Sequence, residues 1–289
     1  ELAGLLVFPK TAWPPTWDCM KKRTTSAGLI ALICYTILYY SGVPIVIQGA
    51  AAALCCFCVY ELGEATGQMT KEALFTLVLL AAGLLSFWNA EEEARIAAFC
   101  LGVSLPFFTL LMVFQPRMQL KNGWSFVILS VLVCAQLRSI IALRALPFGI
   151  HLTMMCITEC FATDVFAYLI GSRYGKRKLL PAVSPNKTLL GSAAGMAAAV
   201  AFCLLYALVL SKLKAVSVNY GLLLVYAVIA NVLAQFGDLS MSVVKRITGI
   251  KDFGTLIPGH GGLLDRFDSL IFVVPFTLIF FWVTGGFFC

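Results

Sequence analysis

Long apolar runs separated by short polar breaks dominate the chain. A helix needs about 20 residues to cross the hydrocarbon of a bilayer. Runs of that order lie at 25–41, 43–62, 72–89, 95–115, 123–143, 148–171, 189–211, 218–243 and 266–286. The pattern predicts an all-α polytopic membrane protein of about nine transmembrane helices. Only Ser41, Gly42 and Val43 separate the first two runs, which predicts a tight turn. Pro106 and Pro275 fall inside runs, where neighbouring helices can satisfy the backbone groups that proline frees. Gly191 and Gly195, four apart at the start of the seventh run, predict close packing against another helix.

Composition agrees with the pattern. Of 289 residues, 61% are hydrophobic and 12% charged, against about 25% charged in an ordinary soluble domain. The net charge of +7 does not point to nucleic acid, because the basic residues cluster at the ends of apolar runs. There they set topology and attract anionic lipid. With the N-terminus inside, sixteen of the 21 Lys and Arg residues fall on the cytoplasmic side, leaving Arg95, Arg138, Arg144, Lys212 and Lys214 opposite. The acidic run Glu91–Glu93 also falls outside, so the bias predicts an N-in, C-out chain. Arg138 and Arg144 interrupt the fifth run, the weakest of the nine. The 11 cysteines lie scattered through apolar stretches without metal-ligand spacing and read as small hydrophobes. The first 20 residues lack the basic start and apolar run of a signal peptide, and Trp13 and Trp17 suit the membrane interface.

Two polar loops, 172–187 and 245–264, fall on the cytoplasmic side, where a water-soluble substrate can reach them. The second opens a dense group of charged residues and glycines. Asp238, Ser242 and Lys245 share one helix face by their spacing, and Asp265 and Asp268 can point the same way at the start of the last run. Carboxylates at a membrane edge are costly and imply function. Several aspartates beside Lys and Arg suit a hard cation such as Mg²⁺ holding phosphates, with a two-cation site left open. Gly259, Gly261 and Gly262 let backbone amides approach an anion. These are the parts of a phosphoryl or nucleotidyl transfer site. Taken singly, each residue could instead flank a helix end or anchor topology; a topological anchor has no need of His-Gly-Gly and three aspartates together.

The string Ser242-x-x-Lys245-Arg246, four residues, Lys251-Asp252-x-Gly254, then Pro258-x-His260-Gly261-Gly262-x-x-Asp265-Arg266-x-Asp268 resembles the signature of the phosphatidate cytidylyltransferase (CDP-diacylglycerol synthase) family. The likeness extends upstream through Asp164, Ala167-Tyr168, Gly171, Arg173, Gly175, Lys178, Pro181, Ser184-Pro185, Lys187-Thr188 and Gly191, through Gln235, Gly237 and Asp238, and to Tyr60-Glu61. Phe166 departs from it, standing where the family usually has a small residue. The resemblance implies that the phosphate of phosphatidate attacks the α-phosphorus of CTP, giving CDP-diacylglycerol and pyrophosphate. It divides the chain into an interfacial segment 1–24, N-terminal helices in 25–146 and a catalytic region 147–289.

On this reading Asp238 and Asp265 are the expected main metal ligands, with Asp268 and Ser242 next. Lys245, Arg246, Lys251 and Arg266 would hold triphosphate or lipid phosphate. Arg173, Lys178 and Lys187 form a second phosphate-binding candidate, and Asp164 with Tyr168 would line the nucleotide cavity. Ser184, Asp252, Gly261 and Gly262 complete the substrate-binding set. His260 would orient a phosphate or give a proton to pyrophosphate, with a turn role equally open. A homodimer is left open. Two other readings fit some of the same residues: a related transferase acting on another lipid, such as archaeol phosphate or a polyprenol, and a transporter with Asp164, Asp238 and Asp265 along its path. The latter predicts an internal repeat, and none is evident.

Overall fold

A computed structural model describes residues 32–33, 35–68, 76, 78, 81, 93–114, 120, 122–214, 216–256 and 261–288. Segment 1–24, nearly all of the run 72–89 and His260 lie outside the described residues. Among those described, seven helices are long and apolar enough to span a membrane. They are α1 (Pro44–Thr66), α2 (Glu93–Phe114), α3 with α4 (Gly123–Leu137, Ser139–Ala145), α5 (Gly149–Tyr174), α6 (Leu189–Lys214), α7 (Tyr220–Thr248), and α8 with α9 (Leu264–Phe267, Leu270–Thr284).

Two of the expected runs are each built from two helices, and the reason is polar. The fifth run breaks at Arg138, whose guanidinium reaches Glu93 at the start of α2, 2.6 Å away. Farther along, Arg144 Nε donates to Ser41 Oγ at 2.7 Å. The two arginines that interrupt the apolar pattern thus have named partners on other elements. The last run breaks where Asp265 and Asp268 lie, beside the short helix α8.

The stretch 172–187, expected as a polar loop that a water-soluble substrate can reach, folds into a hairpin. Strand β1 (Lys178–Leu180) pairs antiparallel with β2 (Ser184–Thr188), with Lys178 opposite Thr188 and Leu180 opposite Ser184. Its turn, Pro181–Val183, buries Val183 in the main core. Arg246 at the end of α7 secures that turn by donating from Nε to Val183 O, 3.1 Å, and from Nη1 to Ile250 O, 3.2 Å.

Two apolar clusters fill the interior. One joins α1, α2, α3, α7 and α9 around Phe108, Phe126 and Phe272; the other lies around Leu152, Met155, Tyr226 and Phe287. Large apolar side chains such as Phe99, Trp124, Phe161 and Leu213 face outward, as a lipid solvent allows. Helices α5 and α6 touch backbone to backbone, as the glycine spacing predicts. A Cβ on Gly191 would lie 2.6 Å from Ala167 O and 2.9 Å from Gly171 Cα.

Because both neighbours there are backbone atoms, they cannot turn aside. Gly191→Ala is expected to destabilise by about 1–3 kcal/mol, seen as a lower Tm in detergent. Gly102→Ala, whose added methyl meets nothing within 4 Å, should leave Tm unchanged or raise it slightly.

Candidate active site

One stripe of α7 organises the site. Asn231, Gln235, Asp238, Ser242 and Lys245 recur at alternating spacings of four and three, so all five face one way. The first two tie three helices together inside the bundle. Asn231 Nδ2 donates to Thr163 Oγ1 of α5; Gln235 Nε2 donates to Asn231 Oδ1, 2.7 Å, and to Ser192 O of α6, 3.3 Å; Ser192 Oγ donates to Gln235 Oε1. In a low-dielectric interior, a network of polar groups that answer one another fixes the helices relative to each other.

One turn later Asp238 forms an ion pair with Lys187 of β2. Lys187 also lies in the field of Asp164, Asp268 and Lys245. Burial pushes its ammonium below the usual lysine range, while Asp164 and Asp268 pull it back. A cavity of 260 Å³ opens beside it, lined by Asp164, Tyr168, Ser184, Lys187 and Gln235 among others. Four residues expected to bind substrate therefore share one wall, brought together by the hairpin. Arg266 lies within electrostatic reach of Asp164.

At the end of the stripe, Lys245 Nζ meets Asp265 Oδ1 at 2.7 Å and lies over the Phe253 ring, 5.5 Å from its centroid. Both side chains are buried, 10% and 5% exposed. The other oxygen of Asp265 accepts from Phe253 N, 2.9 Å, and Gly262 N, 3.0 Å. Asp265, expected as a main metal ligand, thus has both oxygens engaged by the protein. It draws the two ends of the glycine-rich segment around itself. Asp268, three residues on, is buried, and its Oδ1 accepts from Ser269 N at 2.7 Å. Ser242 is buried as well.

The remaining candidates separate by position. Arg246, expected to hold phosphate, donates to two backbone carbonyls and braces the hairpin. Lys251 and Asp252 are exposed on the loop after α7, and Arg173 and Lys178 are exposed at the end of α5 and on β1. Gly261 takes a positive φ of 89° beside Asp252 and Asp265. Phe166 rests on Phe202, ring centroids 5.9 Å apart, and is not among the residues that line the cavity. Among the described residues no three His, Cys, Asp or Glu side chains converge as a metal cage.

Glu61 plays a part that the sequence reading left unassigned. Near the end of α1 and 3% exposed, it accepts from Leu263 N through Oε1 and from Leu264 N through Oε2, both at 2.7 Å. Those amides begin α8, where a helix leaves N–H groups without intrahelical partners. Gly262 makes the contact fit: a Cβ there would stand 2.7 Å from both carboxylate oxygens. The available signal was an acid closing an otherwise apolar helix, beside a glycine-rich segment far along the chain.

The Cytidylyltransferase family model matches residues 21–284. The chain belongs to this family. Among its cytidylyltransferase relatives, the phosphatidate cytidylyltransferase of Thermotoga maritima is 29% identical over 273 residues, spanning 93% of this chain and 98% of that protein. The Bacillus subtilis phosphatidate cytidylyltransferase is 30% identical over 271 residues, 89% and 96% of the two chains. That of Staphylococcus aureus is 41% identical over a shorter stretch of 128 residues, 44% of this chain.

For this cytidylyltransferase the Glu61 clamp gives a direct expectation. Glu61→Gln turns one acceptor into a donor facing an amide and shifts the segment that carries Asp265 and Asp268. Cytidylyl transfer should fall about 100-fold, the usual cost of a displacement near 1 Å. Faster proteolysis within 252–264, read by mass spectrometry, should accompany the loss.

Proposed function

We propose that the protein transfers CMP from CTP to phosphatidate, giving CDP-diacylglycerol and pyrophosphate, at the cavity between α5, the hairpin and α7. The observation that carries this is similarity to two named phosphatidate cytidylyltransferases along nearly the whole chain. The arrangement of charge agrees with it. Lys187, Lys245 and Arg266 stand among Asp164, Asp238 and Asp268, so two anionic substrates meet cations and carboxylates in one place.

The attacking group is a phosphate oxygen, already anionic near neutral pH, so the site needs no strong base. The difficulty is bringing two anions into line, and catalysis is mostly positioning and charge stabilisation. Asp164, Tyr168 and Ser184 would wall the nucleotide. Lys187 and Arg266 would face phosphate oxygens. Lys245 would stay paired with Asp265 beside the site.

The donor set fits Mg²⁺, which commonly takes one or two carboxylates and fills its remaining positions with phosphate and water. Asp238 and Asp268 are the ligands we favour, since Asp238 already balances a cation, the Lys187 ammonium. Asp265 is better used where it stands. When bound, the ion would neutralise phosphate charge that builds up during transfer.

An orientation with the site facing the cytoplasm has its support in charge. Arg173, Lys176, Arg177, Lys178, Lys187, Lys245, Arg246, Lys251 and Arg266 lie around the site end of the helices, and Arg95, Arg138, Arg144, Lys212 and Lys214 come from the other set of connections. Such a site would take CTP from water and phosphatidate from the bilayer.

Purified protein incubated with labelled CTP, phosphatidate and Mg²⁺ should yield a labelled lipid; no labelled product under conditions where the protein is folded would reject the reading. Asp238→Asn should lower turnover about a thousandfold and raise the Mg²⁺ concentration needed for half-maximal rate, with Tm little changed. Asp265→Asn should lose activity together with about 3 kcal/mol or more of stability, because it leaves Lys245 buried without its counter-charge.

A further inference from the structure

On the face of α8 turned towards α1, an apolar groove of 360 Å³ opens between the helical turn at 35–40, α1 and the first half of α5. Ala50 and Ala53 form one wall, Thr153 and Ile157 another, and Leu263 and Phe267 complete the lining. Its lining is almost wholly apolar. We propose that this groove receives one acyl chain of phosphatidate and sets the acyl-length preference of the enzyme. The proposal rests on the phosphatidate reading above.

Three observations fix the occupant. First, the groove shares a short helix with the site: Leu263 and Phe267, which line it, flank Asp265, and Phe267 directly precedes Asp268. Second, Thr153, Ile157 and Asp164 share a face of α5, being four and then seven residues apart. At 1.5 Å per residue, Ile157 lies about 10 Å and Thr153 about 16 Å along the helix from Asp164. A lipid whose phosphate sits near Asp164, Lys187 and Arg266 has its ester carbonyls a few bonds away, and its chain then falls at this depth. Third, no charged side chain lines the groove, so it offers a polar headgroup nothing and an alkyl chain a dry wall. Small side chains make the space: Ala50 and Ala53 stand one turn apart on α1, while larger residues there would fill it.

The experiment compares dihexanoyl with dipalmitoyl phosphatidate in mixed micelles, for wild type, Ala50→Phe, Ala53→Phe and the control Ala52→Phe, which is not part of the lining. Filling the groove should raise KM for the dipalmitoyl substrate about tenfold, in line with the cost of excluding methylene groups from an apolar pocket. KM and kcat for the dihexanoyl substrate should stay as in wild type, which also reports that the variants are folded. Equal changes on both substrates, or none on either, would overturn the proposal. A second measurement needs no variant: dipalmitoyl phosphatidate carrying a mid-chain diazirine, irradiated with wild-type protein, should label peptides containing 50–57, 153–157 or 263–267, and labelling confined to other peptides would count against it. Wild type inactive on both lipids would reject the reaction itself, an outcome distinct from activity that ignores chain length.

Discussion

The site depends on how Asp265 is held. A carboxylate inside an apolar bundle is tolerated only when its oxygens are answered, and here one oxygen takes Lys245 and the other takes the amides of Phe253 and Gly262. Those three donors come from the end of α7, the middle of the polar segment and its last turn. Satisfying one buried charge therefore ties together three points of the chain from the end of α7 to the start of α8. Glu61 does the same from outside, gripping the next two amides. Between them, the two carboxylates hold Phe253 and the turn from Gly262 to Leu264, and so keep Asp268 near Lys187 and Asp164. A hydrogen-bonded frame of this kind can keep its shape while substrates that carry far more charge come and go.

Much of this was legible in the sequence, and the division follows the range of the interactions. The apolar runs predict the described spans to within a few residues, because span length is set by the bilayer and not by the partners. The stripe from Asn231 to Lys245 follows from helical periodicity, and the contact of Gly191 with α5 from small-residue spacing. The hairpin was not legible: its strands are short and polar, and what makes them fold is Val183 entering the core and Arg246 gripping the turn from 63 residues away. Glu61 acts over a separation of 202 residues, beyond the reach of any local pattern.

Roles are a separate matter. Asp238, Asp265 and Asp268 are the same residue type in one neighbourhood, and the sequence reading ranks Asp238 and Asp265 first as metal ligands and Asp268 next. The distinction lies in which N–H groups come within 3 Å of each. Arg246 is parallel: read from the sequence as a phosphate ligand, it donates in the structure to two backbone carbonyls. Residue type constrains what chemistry is available at a site, and local geometry decides which copy performs it.

The junction between the hairpin and α6 carries a mechanical implication. Strand β2 ends at Thr188 and α6 starts at Leu189, so no slack separates Lys187 from a helix of 26 residues. That helix is in turn locked against α5 through glycine contacts that leave no room to slide. Lys187 is mounted on a stiff beam: moving its backbone would mean moving a membrane span. Adjustment to an arriving nucleotide must then come from rotation of its own side chain, a fast motion over a short arc, while the scaffold stays still.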